Sequence, residues 1–563
     1  MSLRKILLFA ILSVISVNIL LLYHFFTDGR SSNFDWRYFE SISLVLRSNL
    51  LSYKTWPLHN PWICGGIDIS ANPNYHNFSP RLLLDLFFKP YASNILTLLI
   101  YGCVGFIGAY FWFYRFLENQ MLSLVGSLLF LSSSFFGLHF TVGHIPYAGL
   151  QLIPLFLYAS EKILYSARSF FWFIMGLSFL ILDSQIYPFI FISMILIFYW
   201  PLMTPMKDIK RYLLHDKTVR ILSLLILFMV ALVKYIPTKM SFQIVPVLDY
   251  FQIPWSSLGN IFFNPMPDFL HYRPWKWDHY EYLCYFGILG ISLALIGLRW
   301  SNKVSFMYWS LFLFFLWVGI GCFPSINPWN LFQKIPVFNN AHIQSRVFII
   351  AHLMLIMLIL ISVKNFPRKL AISVVILLIG EALFVRNYPI RQVSKTPIFE
   401  APSIITSQTI ITTVMDSNVP GHYTGRQGSV KCFDSLKYKT SVSSKGNPLY
   451  QGEIYLSAGE GKVFLSEYTP GHIKFKYACA EPCRVEFNTN YLLGWKSSSS
   501  KFQPSESYGL LGVDLPAGTV NEDIELSYSP KHLPYILGLL SLSLVLFFSL
   551  IGYLYRPYFQ SKI

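Results

Sequence analysis

Long apolar runs recur along most of the chain and are separated by shorter polar segments. A helix needs about 20 apolar residues to cross the hydrocarbon core of a bilayer. Twelve runs approach or reach that length, and the runs at 147–161 and 170–183 are the shortest. The pattern predicts a polytopic α-helical membrane protein with about twelve transmembrane helices, at residues 6–26, 93–114, 121–138, 147–161, 170–183, 186–203, 221–237, 281–298, 304–321, 346–363, 370–387 and 532–554.

Basic residues gather between these runs on one side of the predicted membrane, most densely at residues 207–220. Lys and Arg mark cytoplasmic loops, so both termini are expected in the cytoplasm. The long segments, above all 27–92 and 388–531, are then expected on the outer side. The first apolar run is too long for a signal-peptide core and lacks a small-residue cleavage site. It is therefore predicted to remain as the first transmembrane helix.

Segment 388–531 has a different pattern from the rest of the chain. Polar and apolar residues alternate in short runs that Gly and Pro turns separate, which favours an extracytoplasmic β-sandwich before the last helix. Cys479 and Cys483 lie in this segment, and the sequence leaves open whether they form a local disulfide. The predicted organisation is a transmembrane domain at 1–387 with a large first outward loop at 27–92, the β-rich domain at 388–531, and a last helix with a cytoplasmic tail at 532–563.

Composition narrows the possible functions. Hydrophobic residues make up 54% of the 563 residues and charged residues only 13%, which excludes an ordinary soluble protein. The net charge of +16 is explained by the basic loops, and no nucleic-acid-binding motif accompanies it. The nucleotide-binding G-x-x-x-x-G-K-[ST], the hydrolase G-x-S-x-G and the zinc-protease H-E-x-x-H motifs are absent. Any chemistry is therefore expected in the outward loops and the adjoining helix ends.

The first outward loop is the richest in candidate chemistry. Asp35 follows the first span closely and could act as a general base or bind a metal, or it could cap a short helix that starts near Trp36. The stiff polar stretch 57–81 follows it. Its amide and imidazole groups could bind a sugar or a phosphate, or they could satisfy one another in a re-entrant cap. These candidate binding residues are His59, Asn60, Asn72, Asn74 and His76.

Further candidates lie at the outer ends of later spans. His139 and His144 follow the third span, and Asp183 interrupts an apolar hairpin, where an ionisable group is either functional or part of the outer turn. Arg273, Lys276 and Glu281 lie at the head of the eighth span as possible binding residues. Arg346, at the head of the tenth, could clamp a phosphate or extend its charge to the membrane interface.

The order of several motifs resembles a known family. After Asp35 come "NP", "GG", "ANP" and "FSP" within 60–80, a Gly-His pair at 143–144, "EYLCYFG" at 281–287 and "IPVFNNAHIQSR" at 335–346. "GW" at 494–495, "LPAG" at 515–518 and "YSP" at 528–530 precede the last helix. This order resembles the YfhO-type bacterial membrane proteins of the GT-C glycosyltransferase superfamily, over nearly the whole chain. Relatives tend to carry two arginines around "R-x-P-x-R", and only Arg346 matches here.

The resemblance implies a GT-C-like fold and an inverting transfer of sugar on the outer side of the bacterial cytoplasmic membrane. The implied donor is a polyprenyl-phosphate-linked sugar, and the acceptor is an envelope glycan or lipid. Asp35 matches the family's catalytic carboxylate, and a divalent metal, Mg or Mn, could assist it. A flippase or transporter for lipid-linked glycans and a non-catalytic partner in envelope assembly are the alternatives.

Overall fold

The computed structural model describes residues 2–19, 22, 34–163, 165–203, 216–241, 252–264, 281–300, 302–322, 326–335, 343–393, 430 and 441–560. Helices dominate up to residue 393, and strands fill most of 454–528. The α-helices are α1 (Leu3–Val17), α2 (Phe34–Leu51), α3 (Leu82–Phe87), α4 (Pro90–Leu117), α5 (Gln120–Leu131), α6 (Ser134–Val142), α7 (Ile153–Lys162), α8 (Ala167–Leu182), α9 (Ile186–Met203), α10 (Lys217–Ser241), α11 (Leu258–Phe263), α12 (Ile288–Ile296), α13 (Lys303–Ile320), α14 (Pro328–Phe332), α15 (Phe348–Lys364), α16 (Arg368–Val393) and α17 (Leu533–Gln560).

Eight helical stretches within the described ranges are long and apolar enough to cross a membrane. The prediction of a mostly helical chain with apolar helices of membrane-spanning length is confirmed, while the count of twelve spans and their orientation remain predictions. Two shorter apolar stretches, Ala167–Leu182 and Ile288–Trp300, fall in other predicted spans. The eight are Pro90–Leu117, Gln120–Val142, Ile186–Met203, Lys217–Ser241, Lys303–Ile320, Gln344–Lys364, Arg368–Pro389 and Leu533–Tyr555.

Several predicted spans differ from a single continuous α-helix, and the span at 121–138 is divided between α5 and α6. The run at 147–161 is a 3-10 helix (Ile145–Leu152) followed by the short α7, with Pro154 in the first turn of α7. Proline has no N–H to donate, so it begins a new helix instead of continuing the preceding one. The run at 281–298 becomes an α-helix only at Ile288. Gly287 precedes it with φ +74°, a left-handed conformation that interrupts helical geometry.

Helix α15 is the centre of the membrane region. This helix lies within Gln344–Lys364, and 83% of the most apolar 18-residue stretch of that segment is buried within the protein. Because its residues are apolar on every side, it can pack against α5, α12 and α13 at once. By contrast, only 17% of the most apolar 18-residue stretch of α17 is buried. This helix therefore presents most of its apolar surface outward, as a lipid-facing helix does.

A buried arginine joins three helices. Arg386 of α16 donates hydrogen bonds to the Val17 carbonyl (3.2 Å), the Leu131 carbonyl (2.8 Å) and the Asn18 side-chain oxygen (2.7 Å). Val17 and Leu131 are the last residues of α1 and α5, whose final carbonyls have no partner within their own helices. Arg386 thus fixes the ends of α1 and α5 against α16.

The predicted β-rich region before the last helix is confirmed. Its two four-stranded antiparallel sheets have the strand orders β4-β5-β10-β7 and β3-β6-β9-β8. The rings of Phe475 and Phe487, one from each sheet, lie 5.2 Å apart, so the sheets face each other. A disulfide joins Cys479 to Cys483. The strands are β1 (His59–Asn60), β2 (Ile67–Asp68), β3 (Ile454–Ala458), β4 (Gly461–Thr469), β5 (His472–Cys479), β6 (Cys483–Asn490), β7 (Trp495–Ser497), β8 (Pro504–Ser507), β9 (Leu510–Leu515) and β10 (Gly518–Tyr528).

Candidate functional site

Asp35 lies in the first turn of α2 and contacts a histidine from a different part of the chain. Its Oδ2 atom is 2.6 Å from Nε2 of His144. The helix begins at Phe34, so Asp35 is inside it and does not precede it as a cap would. The Asp35 side chain retains 18% of its exposure, whereas most of α2 is buried, so this carboxylate can still meet a ligand from outside the protein.

Close packing of α2 against the end of α6 brings these two residues together. The Trp36 indole donates to the carbonyls of Phe140 (3.0 Å) and Thr141 (3.1 Å) in the last turn of α6. Gly143 ends α6 with φ +97°, and a Cβ there would overlap the Trp36 backbone nitrogen and lie 2.8 Å from its Cα. Only glycine permits both the left-handed turn and this approach. The Gly-His pair therefore positions His144 against Asp35.

The same turn folds His144 back onto His139. Their Nδ1 atoms are 2.6 Å apart, and their rings stack with centroids 4.9 Å apart. One of these nitrogens must donate a proton and the other must accept it. Nε2 of His144 faces a carboxylate and therefore carries a proton, so in neutral His144 the Nδ1 atom is the acceptor. Asp35, His144 and His139 thus form a continuous chain of hydrogen bonds.

A buried ion pair borders this chain. Arg346 donates from Nε to Glu281 Oε2 (2.8 Å) and from Nη2 to Glu281 Oε1 (2.6 Å), a bidentate arrangement. The positive charge and the two hydrogen bonds of Arg346 favour the ionised form of the Glu281 carboxyl. Glu281 Oε1 is 3.9 Å from His144 Nε2. The ion pair therefore presents a fixed negative carboxylate to the histidines.

Arg346 is enclosed by neighbouring side chains of the protein. Only 7% of its side chain is exposed, and its guanidinium lies over the rings of Tyr147 (5.0 Å) and Tyr187 (4.8 Å). Cation–π contacts of this kind hold the planar group in position. Its third nitrogen, Nη1, has no hydrogen-bond partner within the part of the chain that the structure describes. This nitrogen is the donor that remains for a ligand.

The histidines and Glu281 are also suited to holding a cation. Ligand atoms of His139, His144 and Glu281 all lie within 4.8 Å of one another, and all three residues are buried. The formal charges of Asp35, Glu281 and Arg346 leave the group negative by one unit when the histidines are neutral. The group can therefore accept a proton, orient a hydroxyl or bind a metal ion.

The five candidate residues of the 57–81 loop have partners within the protein. His76 Nε2 is 2.6 Å from Asp85 Oδ2, and Asn60 donates to the Tyr75 hydroxyl (2.7 Å). Asn72 accepts from the Asn74 backbone (2.8 Å). These contacts agree with the alternative of a cap whose polar groups satisfy one another. Binding of a sugar by this loop stays a prediction. Asn74 also contacts α2, since its side chain donates to the Tyr38 hydroxyl (3.3 Å).

The remaining loop residue, His59, contacts the β-rich region. Its Nδ1 accepts a hydrogen bond from the Gly471 backbone (3.1 Å), and its ring packs against Trp495 and Tyr528. Nearby, the Tyr528 hydroxyl donates to Asp68 Oδ2 (2.9 Å). The "GW" and "YSP" motifs therefore build the junction between this loop and the β-rich region.

The double-glycine motif forms the other half of this junction. Asn490 donates from its side chain to the Gly66 carbonyl (2.9 Å) and from its backbone to the Gly65 carbonyl (2.7 Å). Both glycines have positive φ, and a Cβ on Gly66 would lie 3.2 Å from the His59 ring. The junction holds in place the loop that follows α2. It does not involve Asp35 itself, which lies earlier in the chain.

Asp183, the other candidate raised by the sequence, is a structural hub. It is buried at the end of α8 and accepts hydrogen bonds from the hydroxyls of Ser79 (2.6 Å) and Tyr101 (2.6 Å). Lys234 of α10 donates to the Tyr75 carbonyl beside it. These contacts join the 57–81 loop to three membrane helices, which accounts for buried charges at this depth.

The structure thus brings Asp35, His144, Glu281 and Arg346 together and gives the five loop residues other partners. Arg273 and Lys276 lie outside the described residues. The sequence marks His139 only as a neighbour of His144 after the third span, and it does not mark Tyr147 or Tyr187. The available signal for His139 was its position five residues before His144 across a helix-ending glycine. No comparable local signal marks the two tyrosines.

Comparison with protein-family models, with curated proteins and with solved structures finds no match for this chain.

Proposed function

We propose that the chain is an integral-membrane glycosyltransferase that uses a polyprenyl-phosphate-linked sugar. The observation that carries the proposal is the partly exposed Asp35 carboxylate, held by His144 beside the buried Glu281–Arg346 pair. A carboxylate with one oxygen fixed and some exposure is suited to accept a proton from a bound hydroxyl. The Arg346 guanidinium next to it is suited to a phosphate oxygen.

In the proposed reaction, the acceptor hydroxyl oxygen attacks the anomeric carbon of the donor sugar. The new glycosidic bond forms as the bond from that carbon to the phosphate oxygen breaks, with inversion. Asp35 takes the hydroxyl proton, and polyprenyl phosphate leaves with the bonding electron pair. Arg346 donates from Nη1 to the departing phosphate, which stabilises the charge that develops there. Contributions from Arg273 and Lys276 to the same phosphate are part of the proposal.

The proposal includes the finer topology expected from the sequence. It places about twelve spans in a bacterial cytoplasmic membrane, with both termini cytoplasmic and the β-rich region outside. The Cys479–Cys483 disulfide supports an oxidising compartment for the β-rich region. The junction of that region with the 57–81 loop supports a common side for it and for Asp35, because this loop follows α2 directly.

The test is mass spectrometry of envelope glycans from cells that carry the wild type, a deletion or Asp35→Asn at equal membrane expression. The asparagine keeps the size of the side chain but cannot take the proton, so we expect transfer to fall about 10²- to 10⁴-fold. Asp523→Asn, at an exposed site in β10, is the matched control and should transfer normally. Full transfer by Asp35→Asn would refute the proposal. An effect of the deletion alone would favour transport or assembly.

A further inference from the structure

The buried group formed by His139, His144 and Glu281 has the composition and spacing of a metal site. We propose that these three residues bind one divalent transition-metal ion. The inference concerns the same site as the proposed function but goes beyond it, since metal binding is measured without any sugar substrate. Asp35 is not one of the three ligands, because its carboxylate contacts Nε2 of His144 and orients that histidine instead.

Asp35 orients the central ligand. Its carboxylate accepts the Nε2 proton of His144, so the lone pair of Nδ1 points toward His139. Metal-binding histidines commonly donate their other ring N–H to a carboxylate, which fixes the tautomer and makes the ligand more basic. The contact between Asp35 and His144 is therefore already in the form that a bound metal would require.

Arg346 has the equivalent role for Glu281. Its two hydrogen bonds hold the carboxylate in one orientation and compensate part of its charge. Ligating carboxylates are normally hydrogen-bonded in this way. Because the group remains negative by one unit, a divalent ion would bring opposite charge into a buried region where such attraction is strong.

The ligand types select the metal. Two imidazoles and one carboxylate suit Zn²⁺, Co²⁺ or Mn²⁺, whereas Mg²⁺ prefers oxygen ligands and several waters. The two Nδ1 atoms are 2.6 Å apart, a hydrogen-bonding distance. Nitrogens bound to one tetrahedral ion lie roughly 3.3 Å apart. Metal entry would replace the shared proton of the histidine pair and separate the rings slightly. Three protein ligands would leave a coordination position for a substrate oxygen.

The test uses the purified full-length protein in lipid nanodiscs, stripped of metal by a chelator and titrated with Co²⁺. We expect visible Co²⁺ absorption that saturates at one ion per chain, and we expect Zn²⁺ but not excess Mg²⁺ to displace it. Elemental analysis of protein purified without chelator gives a second, independent measurement. A folded wild type that shows neither Co²⁺ absorption nor retained metal would overturn the proposal.

Four variants assign the site. His139→Gln and Glu281→Gln each remove a ligand and should weaken binding more than 100-fold. Asp35→Asn should weaken it 10- to 100-fold, the range for partners that orient a ligand. His352→Gln, which changes a histidine of α15 whose ring stacks on Phe286, is the matched control and should bind normally. Unchanged binding in both His139→Gln and Glu281→Gln, with normal thermal unfolding, would also overturn the proposal.

Failure of the transferase proposal and failure of the metal-site proposal give different experimental results. A protein that binds Co²⁺ through His139 and Glu281 but transfers no sugar would support the metal site and refute the transferase. A protein that transfers sugar after complete removal of metal, with no Co²⁺ absorption, would refute the metal site alone.

Discussion

Protonation of His59 should weaken the contact between the 57–81 loop and the β-rich region. The imidazole Nδ1 accepts the Gly471 N–H, so a proton can occupy that nitrogen only if this hydrogen bond breaks. Burial lowers the pKa of His59 from 6.5 to about 3, although Asp68 opposes the shift. Asp68, its cross-strand neighbour, faces this histidine, and the same carboxylate is bonded to the Tyr528 hydroxyl and lies 3.2 Å from Nε2 of His532.

The sign and size of the effect follow from these values. The closed junction holds His59 neutral, whereas an open junction lets it titrate near pH 6.5. The stabilisation of the closed junction by neutral His59 is therefore complete above pH 6.5 and is lost as the pH falls toward 3. At pH 5 the open form should gain about 30-fold in relative population, which is about 2 kcal/mol.

Hydrogen–deuterium exchange of the Gly471 amide measures this opening directly. After correction for the intrinsic pH dependence of exchange, its protection in the wild type should fall about 30-fold between pH 8 and pH 5. His59→Asn is the matched control, because its side-chain oxygen can still accept the Gly471 N–H but does not titrate. Its protection should be independent of pH over this range. Equal pH dependence in both proteins, or none in the wild type, would refute the reasoning.

Two further predictions concern the frame of the site. Gly143→Ala should lower the free energy of unfolding by about 1–2 kcal/mol or more, because the position has a left-handed backbone and the new Cβ would overlap Trp36. The same change should lower the affinity for Co²⁺. Gly380→Ala is the control, because a Cβ there would meet open space. Arg386→Met should lower stability by about 3 kcal/mol, because buried acceptors lose their donors, whereas the exposed Arg368→Met should not. Thermal unfolding in nanodiscs checks both, and unchanged midpoints would contradict them.

The candidate site was partly predictable from sequence. The sequence predicts Asp35, His144, Glu281 and Arg346 as candidates because each is a polar residue in a predicted outward loop or at the adjoining end of a predicted span. The loop residues at 57–81 were selected on the same grounds, yet the structure pairs them within the protein, His76 with Asp85 for example. Residue type and position along the chain do not distinguish a polar group that faces a ligand from one that faces another side chain.

The sequence by itself determined the class of protein and the position of the β-rich region. Hydropathy and period-two alternation are properties of neighbouring residues, and the physics behind them, transfer into lipid and burial of one sheet face, acts locally. Hydropathy did not determine whether each apolar run forms one continuous helix. At Pro154 and Gly287 single residues divide apolar runs that composition alone joins.

Only the tertiary structure decided which polar groups meet. Asp35 and His144 are over a hundred positions apart, and the contact between them depends on a glycine that lets α2 approach the end of α6. Glu281 and Arg346 come from two further segments. A buried charge is stable only with a partner at the right distance, and that distance is set by the packing of helices, which a linear pattern does not contain.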